Sequence, residues 1–408
     1  MSLFILNVGE TMRSDLYYQY NPWWEEPSPF SQTNIIHRPR LLQALESIYS
    51  DPGIVFITGL RRVGKTSFLK TFITHLIEKG IDPKYIFYVS VDEYRFKDLT
   101  LIDLIDEYRK LHRIRVDTKI HVFLDEITYK PDYQQQLKNL YDKGEMKLVV
   151  TSSCSSALRD SRAFLTGRVR WLEVSPLDFS EYLLFKKIDL KKRDQGLLES
   201  YFEDYLRVGG MPEFVLREDR DYLRTVVDDI IYKDIVAFHG IKQPYLMKDF
   251  FHLLMERVGK QISMRKVANI LGISQDTVKR HLHLFEETFL IDTIPRYGKT
   301  NEMLLSPRKV YAADLGIRNL FTGVRDKGSL FENAVFQKIK RLRPRYLYQD
   351  GVEIDFLTEN KILIEVKYGR ELQTKQQMLF EKYEGVQKYL IASIEDYLKI
   401  EDWITGMG

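Results

Sequence analysis

The run Gly59-Leu60-Arg61-Arg62-Val63-Gly64-Lys65-Thr66-Ser67 combines two spaced glycines with a lysine and hydroxyl side chains, a combination suited to holding a triphosphate. The glycines let the backbone curl so that successive N–H groups, and the N-terminus of a following helix, aim at phosphate oxygens. Lys65 is expected to reach the β- and γ-phosphates of ATP or ADP, and Thr66 to ligate Mg2+. The alternative is a strand-to-helix turn that holds a lysine by chance. Against it, an apolar stretch (53–58) precedes the loop and an amphipathic one (67–78) follows it.

Further along, Val122-Phe123-Leu124-Asp125-Glu126 is an apolar run ending in two acids. A buried strand would carry Asp125 to the C-terminal edge of a sheet, where it holds Mg2+ through water, with Glu126 polarising the attacking water. Hydrolysis is therefore expected as well as binding. The next run ends Val150-Thr151-Ser152-Ser153, with hydroxyls where the γ-phosphate would be sensed, although serines at strand ends are also common turn formers. Arg168, in Thr166-Gly167-Arg168, either reaches the γ-phosphate of its own or a neighbouring subunit or is a surface arginine.

A second chemical set lies near the C-terminus: Glu332, Asp355, Glu365 and Lys367. Strand alternation in 362–367 puts Glu365 and Lys367 on one face, with Asp355 on the paired strand 352–357. Two converging carboxylates can hold Mg2+ or Mn2+, and Lys367 can orient a water for attack on a phosphodiester. The bland reading is a mixed α/β domain with an alternating charged strand.

The elements that must position these groups follow from periodicity. Strands at 85–91, 119–124, 147–151 and 169–174 alternate with helices at 99–111 and 133–140, which predicts a parallel sheet. The stretch to about Thr33, rich in Tyr, Trp and Pro without steady period, reads as an irregular arm. From 177 to 254 the pattern is helical, broken at Gly209-Gly210-Met211-Pro212. Helices at 264–271 and 275–285 around Gly272-Ile273-Ser274 have the layout of a helix-turn-helix, with Gln275, Asp276, Lys279, Arg280 and His283 facing outward. Arg296, Lys299, Arg308 and Lys309 would suit a wing. That module either meets DNA or serves as a mechanical lid. The divisions expected are an arm (1–33), a P-loop ATPase domain (34–176), a helical lid (177–255), a winged helix (256–325) and a nuclease-like domain (326–408).

Bulk properties narrow the classes. At 408 residues several domains are the default. A net charge of +3 leaves nucleic-acid binding to local patches. The single cysteine, Cys154, excludes an intrachain disulfide and fits a reducing cytoplasm. No stretch approaches the roughly 18–20 apolar residues that span a bilayer, and the N-terminus does not read as a signal peptide, so a soluble cytoplasmic protein without a membrane partner is expected.

In their order along the chain, His37-Arg38-Pro39-Arg40, the loop 59–66, Leu124-Asp125-Glu126, Thr151-Ser152-Ser153, Gly167-Arg168, Pro176-Leu177 with Glu181-Tyr182-Leu183, and Gly209-Gly210-Met211-Pro212 resemble the archaeal ATPase family in the STAND branch of AAA+-related ATPases. The resemblance implies that Arg38 and Pro212 approach the adenine; His37 stands where the pattern usually has glycine. The C-terminal set resembles the PD-(D/E)xK nuclease core of restriction endonucleases and Holliday-junction resolvases, with Glu332 matching the glutamate of the preceding helix as a metal ligand and Ile354 replacing the motif's proline. The fold implied is α/β multidomain, ending in a restriction-endonuclease-like domain. The function implied is an ATP-hydrolysing protein acting on DNA with a metal-dependent nuclease domain. Its rivals are a STAND-type regulatory switch whose C-terminal domain only binds a partner or DNA, and a ring-forming remodeller. The spacing leaves open whether the chain forms a homo-oligomer.

Overall fold

Strands buried on both faces carry apolar residues at every position, and the run Ile54–Thr58 (β1) is of that kind, with all five residues enclosed. It is joined by Ile86–Ser90 (β2), Ile120–Asp125 (β3), Met146–Ser152 (β4) and Val169–Glu173 (β5). In the computed structural model, which describes residues 13–26, 37–154 and 165–405, these five pair in parallel in the order β2-β3-β4-β1-β5. β4 therefore lies between the strand that leads into the phosphate loop and the strand that ends in Asp125. The chain falls into two compact units, 1–175 and 176–408.

Helices Lys65–Glu78, Leu101–Leu111 and Tyr133–Asp142 connect the strands of the first unit. Leu101–Leu111 starts with a reciprocal capping box, Thr100 bonding Asp103 and Asp103 bonding back, which fixes its first turn. The N-terminal arm differs from the irregular segment expected. Residues 13–20 are helical, because aromatic contacts and not a periodic apolar face hold them. Tyr17 stacks on Phe96 at 5.5 Å and Trp24 on Tyr108 at 5.6 Å. Asn21 receives the Tyr88 N–H at 2.7 Å and donates to the Tyr88 carbonyl at 2.9 Å. The rest of that arm, 1–12 and 27–36, lies outside the described residues.

The second unit opens with helices Phe179–Phe185, Leu198–Val208, Pro212–Arg217 and Arg220–Asp229, the last continuing as a π-helical stretch, Ile230–Ala237, followed by Pro244–Glu256. Then come Gln261–Ile262 (β6), helices Met264–Leu271 and Gln275–Glu287, Ile291–Ile294 (β7) and Arg308–Ala312 (β8), which form an antiparallel sheet β6-β8-β7. Gly272, at φ 66°, takes the left-handed turn that closes the first of the two helices. Ser274 caps the second through the Thr277 N–H at 3.1 Å. Helices Leu315–Thr322 and Lys327–Ile339 lead to Arg345–Gln349 (β9), Val352–Leu357 (β10), Ile362–Val366 (β11) and Gln387–Ile391 (β12), ordered β12-β11-β10-β9. β9 was not expected from the pattern, because its alternation in Arg345-Tyr346-Leu347-Tyr348 is masked by amphipathic tyrosines. Phe202 packs on both Phe331 (5.8 Å) and Tyr397 (5.0 Å), so the helical and C-terminal segments share a core.

The Gly209-Gly210 break is explained by a close approach. A Cβ on Gly210 would stand 2.1 Å from the Leu177 carbonyl, and one on Gly209 would stand 2.3 Å from the Gly316 nitrogen. Both glycines close around the buried Asp314, which accepts N–H bonds from Gly210 at 2.5 Å and Ile317 at 2.9 Å. Burial pushes its carboxyl up to about 6 in spite of those bonds. Since this exceeds the unfolded value, Asp314 lowers stability as pH rises from about 4 to about 6. Asp314→Ala should remove that slope. It should also cost about 3 kcal/mol, because the two N–H groups lose their acceptor. Denaturant unfolding at several pH values checks both outcomes.

Candidate functional site

Because β1 is parallel to its neighbours, its C-terminal end delivers residues 59–64 to the same edge where β3 and β4 end. Gly59 is required there: a Cβ would sit 2.2 Å from the Val174 carbonyl. Gly64 (φ 96°) and Arg62 (φ 64°) are in the left-handed region, which curls the loop into the helix that begins at Lys65. The Lys65 ammonium turns back into this curl, donating to the carbonyls of Gly59 (2.9 Å) and Leu60 (3.1 Å) and to Ser153 Oγ (2.8 Å). Arg61 and Arg62 sit on the loop, Val63 is buried beneath it, and Ser67 is on the first turn of the helix.

Asp125 ends β3 with almost no exposed surface, and both its oxygens are held by hydroxyls. Thr66 Oγ1 donates to Oδ2 at 2.6 Å, Tyr88 donates to the same oxygen at 2.9 Å, and Thr151 donates to Oδ1. Thr66 and Asp125 thus place two hard oxygens side by side, a donor set that fits a Mg2+ ion carried in with a triphosphate. Glu126 adopts a left-handed conformation (φ 55°), which its N–H stabilises through Thr151 Oγ1 at 2.9 Å. Its carboxylate receives Ser153 Oγ at 2.8 Å. Burial raises the Glu126 pKa, Lys65 opposes this, and the Asp125 charge adds to it. Ser153 therefore bridges Lys65 and Glu126, whereas Ser152, expected at this position, bonds the Cys154 backbone instead.

One other expected residue of the first unit is not brought to the loop. Arg168 precedes β5 beside Gly53, at the opposite edge of the sheet, and pairs with Asp142 at 3.2 Å. β1 separates the two edges by about 16 Å at the usual rise per residue. Pro212 begins a helix of the second unit, and Arg38 precedes the helix Pro39–Tyr49 of the first. Tyr88 and Ser153 are the contributions that spacing gave no means to choose, since both act through the sheet order.

In the second unit Asp355 and Glu365 lie opposite one another across β10 and β11, which register Phe356 with Ile364. They are tied by reciprocal backbone bonds: the Asp355 N–H to Glu365 at 3.0 Å and the Val366 N–H to Asp355 at 3.0 Å. Lys367 donates to Glu365 at 2.6 Å, and Gln376 donates to the same oxygen at 3.1 Å. Burial and the nearby Asp355 push both Glu365 and Glu332 up from the ordinary carboxylate range. Lys309, expected on an exposed wing, is instead fully buried among these acids, with Nζ 2.8 Å from Glu332, 2.8 Å from Glu353 and 3.1 Å from Asp355. The period of β8 turns it inward with Tyr311, which donates to Glu332 at 2.8 Å. A divalent ion does not fit this arrangement, because an ammonium takes the space between Glu332 and Asp355. Among the described residues no group of three or more His, Cys, Asp or Glu is set to hold a metal.

On the helix Gln275–Glu287, Gln275, Asp276, Lys279 and Arg280 are exposed, as their spacing implies. His283 is turned partly inward onto Glu286 and Glu287. Val278, Leu282 and Phe285 form the buried face. No helix among the described residues is long and apolar enough to cross a membrane.

The AAA domain family matches residues 51–183, and a domain of unknown function matches 199–328. The uncharacterized protein MJ1544 of Methanocaldococcus jannaschii is 30% identical over 338 residues, 77% of this chain and 74% of that one. An uncharacterized protein of Haemophilus influenzae is 26% identical over 342 residues, 79% of this chain and 84% of that one. Among solved structures, the Aeropyrum pernix ORC1 protein in complex with DNA aligns at TM-score 0.30 and 13% identity over 74% of this chain and 97% of that one, too slight a likeness to argue from. The AAA domain lies over the phosphate loop and its parallel sheet, and the match to MJ1544 runs through three quarters of both chains. This chain belongs to the same family as the uncharacterized protein MJ1544, and its residues 51–183 form an AAA domain of the P-loop ATPase kind.

Proposed function

We propose that this protein hydrolyses ATP and acts on DNA, with Lys65 and Thr66 binding the triphosphate and its Mg2+, Asp125 holding that ion and Glu126 acting on the attacking water. The observation that carries this reading is the bridge at the sheet edge, where Ser153 contacts both the Lys65 ammonium and the Glu126 carboxylate. A γ-phosphate entering there would draw Lys65 away from the loop carbonyls and leave Ser153 between phosphate and base. A Glu126 carboxylate with a raised pKa is a stronger proton acceptor, as a base acting near neutral pH should be. The outer face of the helix Gln275–Glu287 supports DNA contact, since Lys279 and Arg280 project beside Gln275 where a helix-turn-helix meets the backbone and base edges. With the sheet β6-β8-β7 beside it, this helix pair is read as a winged helix.

Residues 326–408 are read as a PD-(D/E)xK-type domain on the grouping of Asp355, Glu365 and Lys367. Two readings compete for it: cutting a phosphodiester, which would need a divalent ion where Lys309 sits, or binding a partner or DNA without cutting. The second is favoured because protein donors already engage the acids.

Glu126→Gln is expected to lower turnover by about 10^2- to 10^4-fold while leaving ATP affinity within a few fold. Lys65→Ala should abolish binding itself. Steady-state hydrolysis with equilibrium nucleotide binding separates the two, and an unchanged rate in Glu126→Gln would remove the base assignment. Lys279→Ala and Arg280→Ala should each weaken DNA binding and reduce the slope of log affinity against log salt by about 1. Linear, branched and single-stranded DNA should survive incubation with the wild-type chain in Mg2+ or Mn2+; cutting that Lys367→Ala abolishes would reinstate the nuclease role.

A further inference from the structure

Lys309 has no exposed surface, and its ammonium can offer three protons to three carboxylates: Glu332 at 2.8 Å, Glu353 at 2.8 Å and Asp355 at 3.1 Å. These acids come from two elements, the helix Lys327–Ile339 and β10, while Lys309 comes from β8 in the other sheet. The neighbouring oxygens are also engaged. Asp355 accepts the Val366 N–H at 3.0 Å, Glu353 accepts the Gln261 amide at 2.7 Å, and Glu365 accepts Lys367, Gln376 and the Asp355 N–H. Oxygens about 3 Å from a nitrogen are spaced for N–H···O bonds, whereas Mg2+ or Mn2+ needs its ligands at about 2.0–2.2 Å. Four buried or half-buried carboxylates face two ammonium groups here, so the cluster has a strong demand for cations, and Lys309 answers part of it with an ammonium tethered to the chain.

We propose that Lys309 is the built-in cation of this cluster: it fills the position between Glu332 and Asp355 that a divalent ion would need, so that lysine and metal exclude one another there. The inference rests on the PD-(D/E)xK-type reading of the C-terminal sheet, but its test reads cation occupancy and not DNA cutting, so the two can fail separately. The seat is set by the sheet β6-β8-β7, because its central strand β8 carries the lysine.

The test uses the full-length chain without nucleotide. In the wild type, Lys309 should resist an amine-acylating reagent, as read by peptide mass spectrometry, and saturating Mn2+ should not change that. Lys309→Met should lower the melting temperature on the order of 10 °C. Mn2+ should then restore roughly half of that loss or more. The pair Lys309→Met/Asp355→Asn should lose this Mn2+ response, which separates the cluster from any ion at the phosphate loop. The proposal is overturned if Mn2+ exposes Lys309 of the wild type to acylation, or if Lys309 reacts as readily as the exposed Lys279. It is equally overturned if the melting of Lys309→Met is indifferent to Mn2+, or if Mn2+ raises the wild type as much as the variant through Asp355. Should Lys309→Met fail to fold, the acylation pattern of the wild type decides alone.

Discussion

Taking an ionised side chain out of water costs several kcal/mol, so each one that this fold buries must find a partner before any ligand arrives. The two polar sites are arranged around that requirement. At the sheet edge of the first unit, Lys65 is satisfied by two loop carbonyls and a serine, and Asp125 by three hydroxyls. In the second unit the partners are charged: a lysine among three acids, and another on a fourth. The difference in partner is a difference in function. Neutral hydroxyls and carbonyls give way to a phosphate and its metal at small cost, whereas a buried lysine and carboxylate part only when something replaces the lost charge.

Much of the first site was legible because its chemistry runs along the backbone. A phosphate loop needs its glycines, lysine and threonine in consecutive places, and a strand ending in Asp125-Glu126 declares its edge by the apolar run before it. What could not be read was anything chosen by the order of strands. Tyr88 looks like one more buried aromatic in Ile86–Ser90; only the pairing of β2 with β3 brings its hydroxyl to Asp125. Ser152 and Ser153 are equivalent in a list of hydroxyls, and the end of β4 turns one to the loop and the other to its own backbone. Arg168 has a suggestive sequence context, but it comes before a parallel strand, and such a residue lies at the edge away from the loop.

Lys309 is the instructive failure. In Arg308-Lys309-Val310-Tyr311 two basic residues follow a helix pair, a pattern common on surfaces that meet phosphates. The registers of β8 with β6 and β7 instead send alternate residues to opposite faces, and the inward face meets carboxylates brought by β10 and the helix Lys327–Ile339. Those acids follow Lys309 by 23 to 46 residues, so no local window could pair them. The same stretch continues to Asp314, whose need for N–H donors draws in Gly210 and fixes the Gly209-Gly210 turn from a distance of 104 residues. The segment 309–314 is thus a hub of the second unit, although nothing in its composition says so.

The pairing of Asn21 with Tyr88 has a consequence for how copies of this chain can associate. β2 is the last strand on its side of the sheet, and such a strand ordinarily offers free amide and carbonyl groups to a foreign chain. One side-chain amide answers the N–H and the C=O of Tyr88 together, while Trp23 and Trp24 both donate to the Ile86 carbonyl. The margin is thereby blunted by side chains in place of a sixth strand, and a second molecule cannot lengthen the sheet there without first stripping its own arm away.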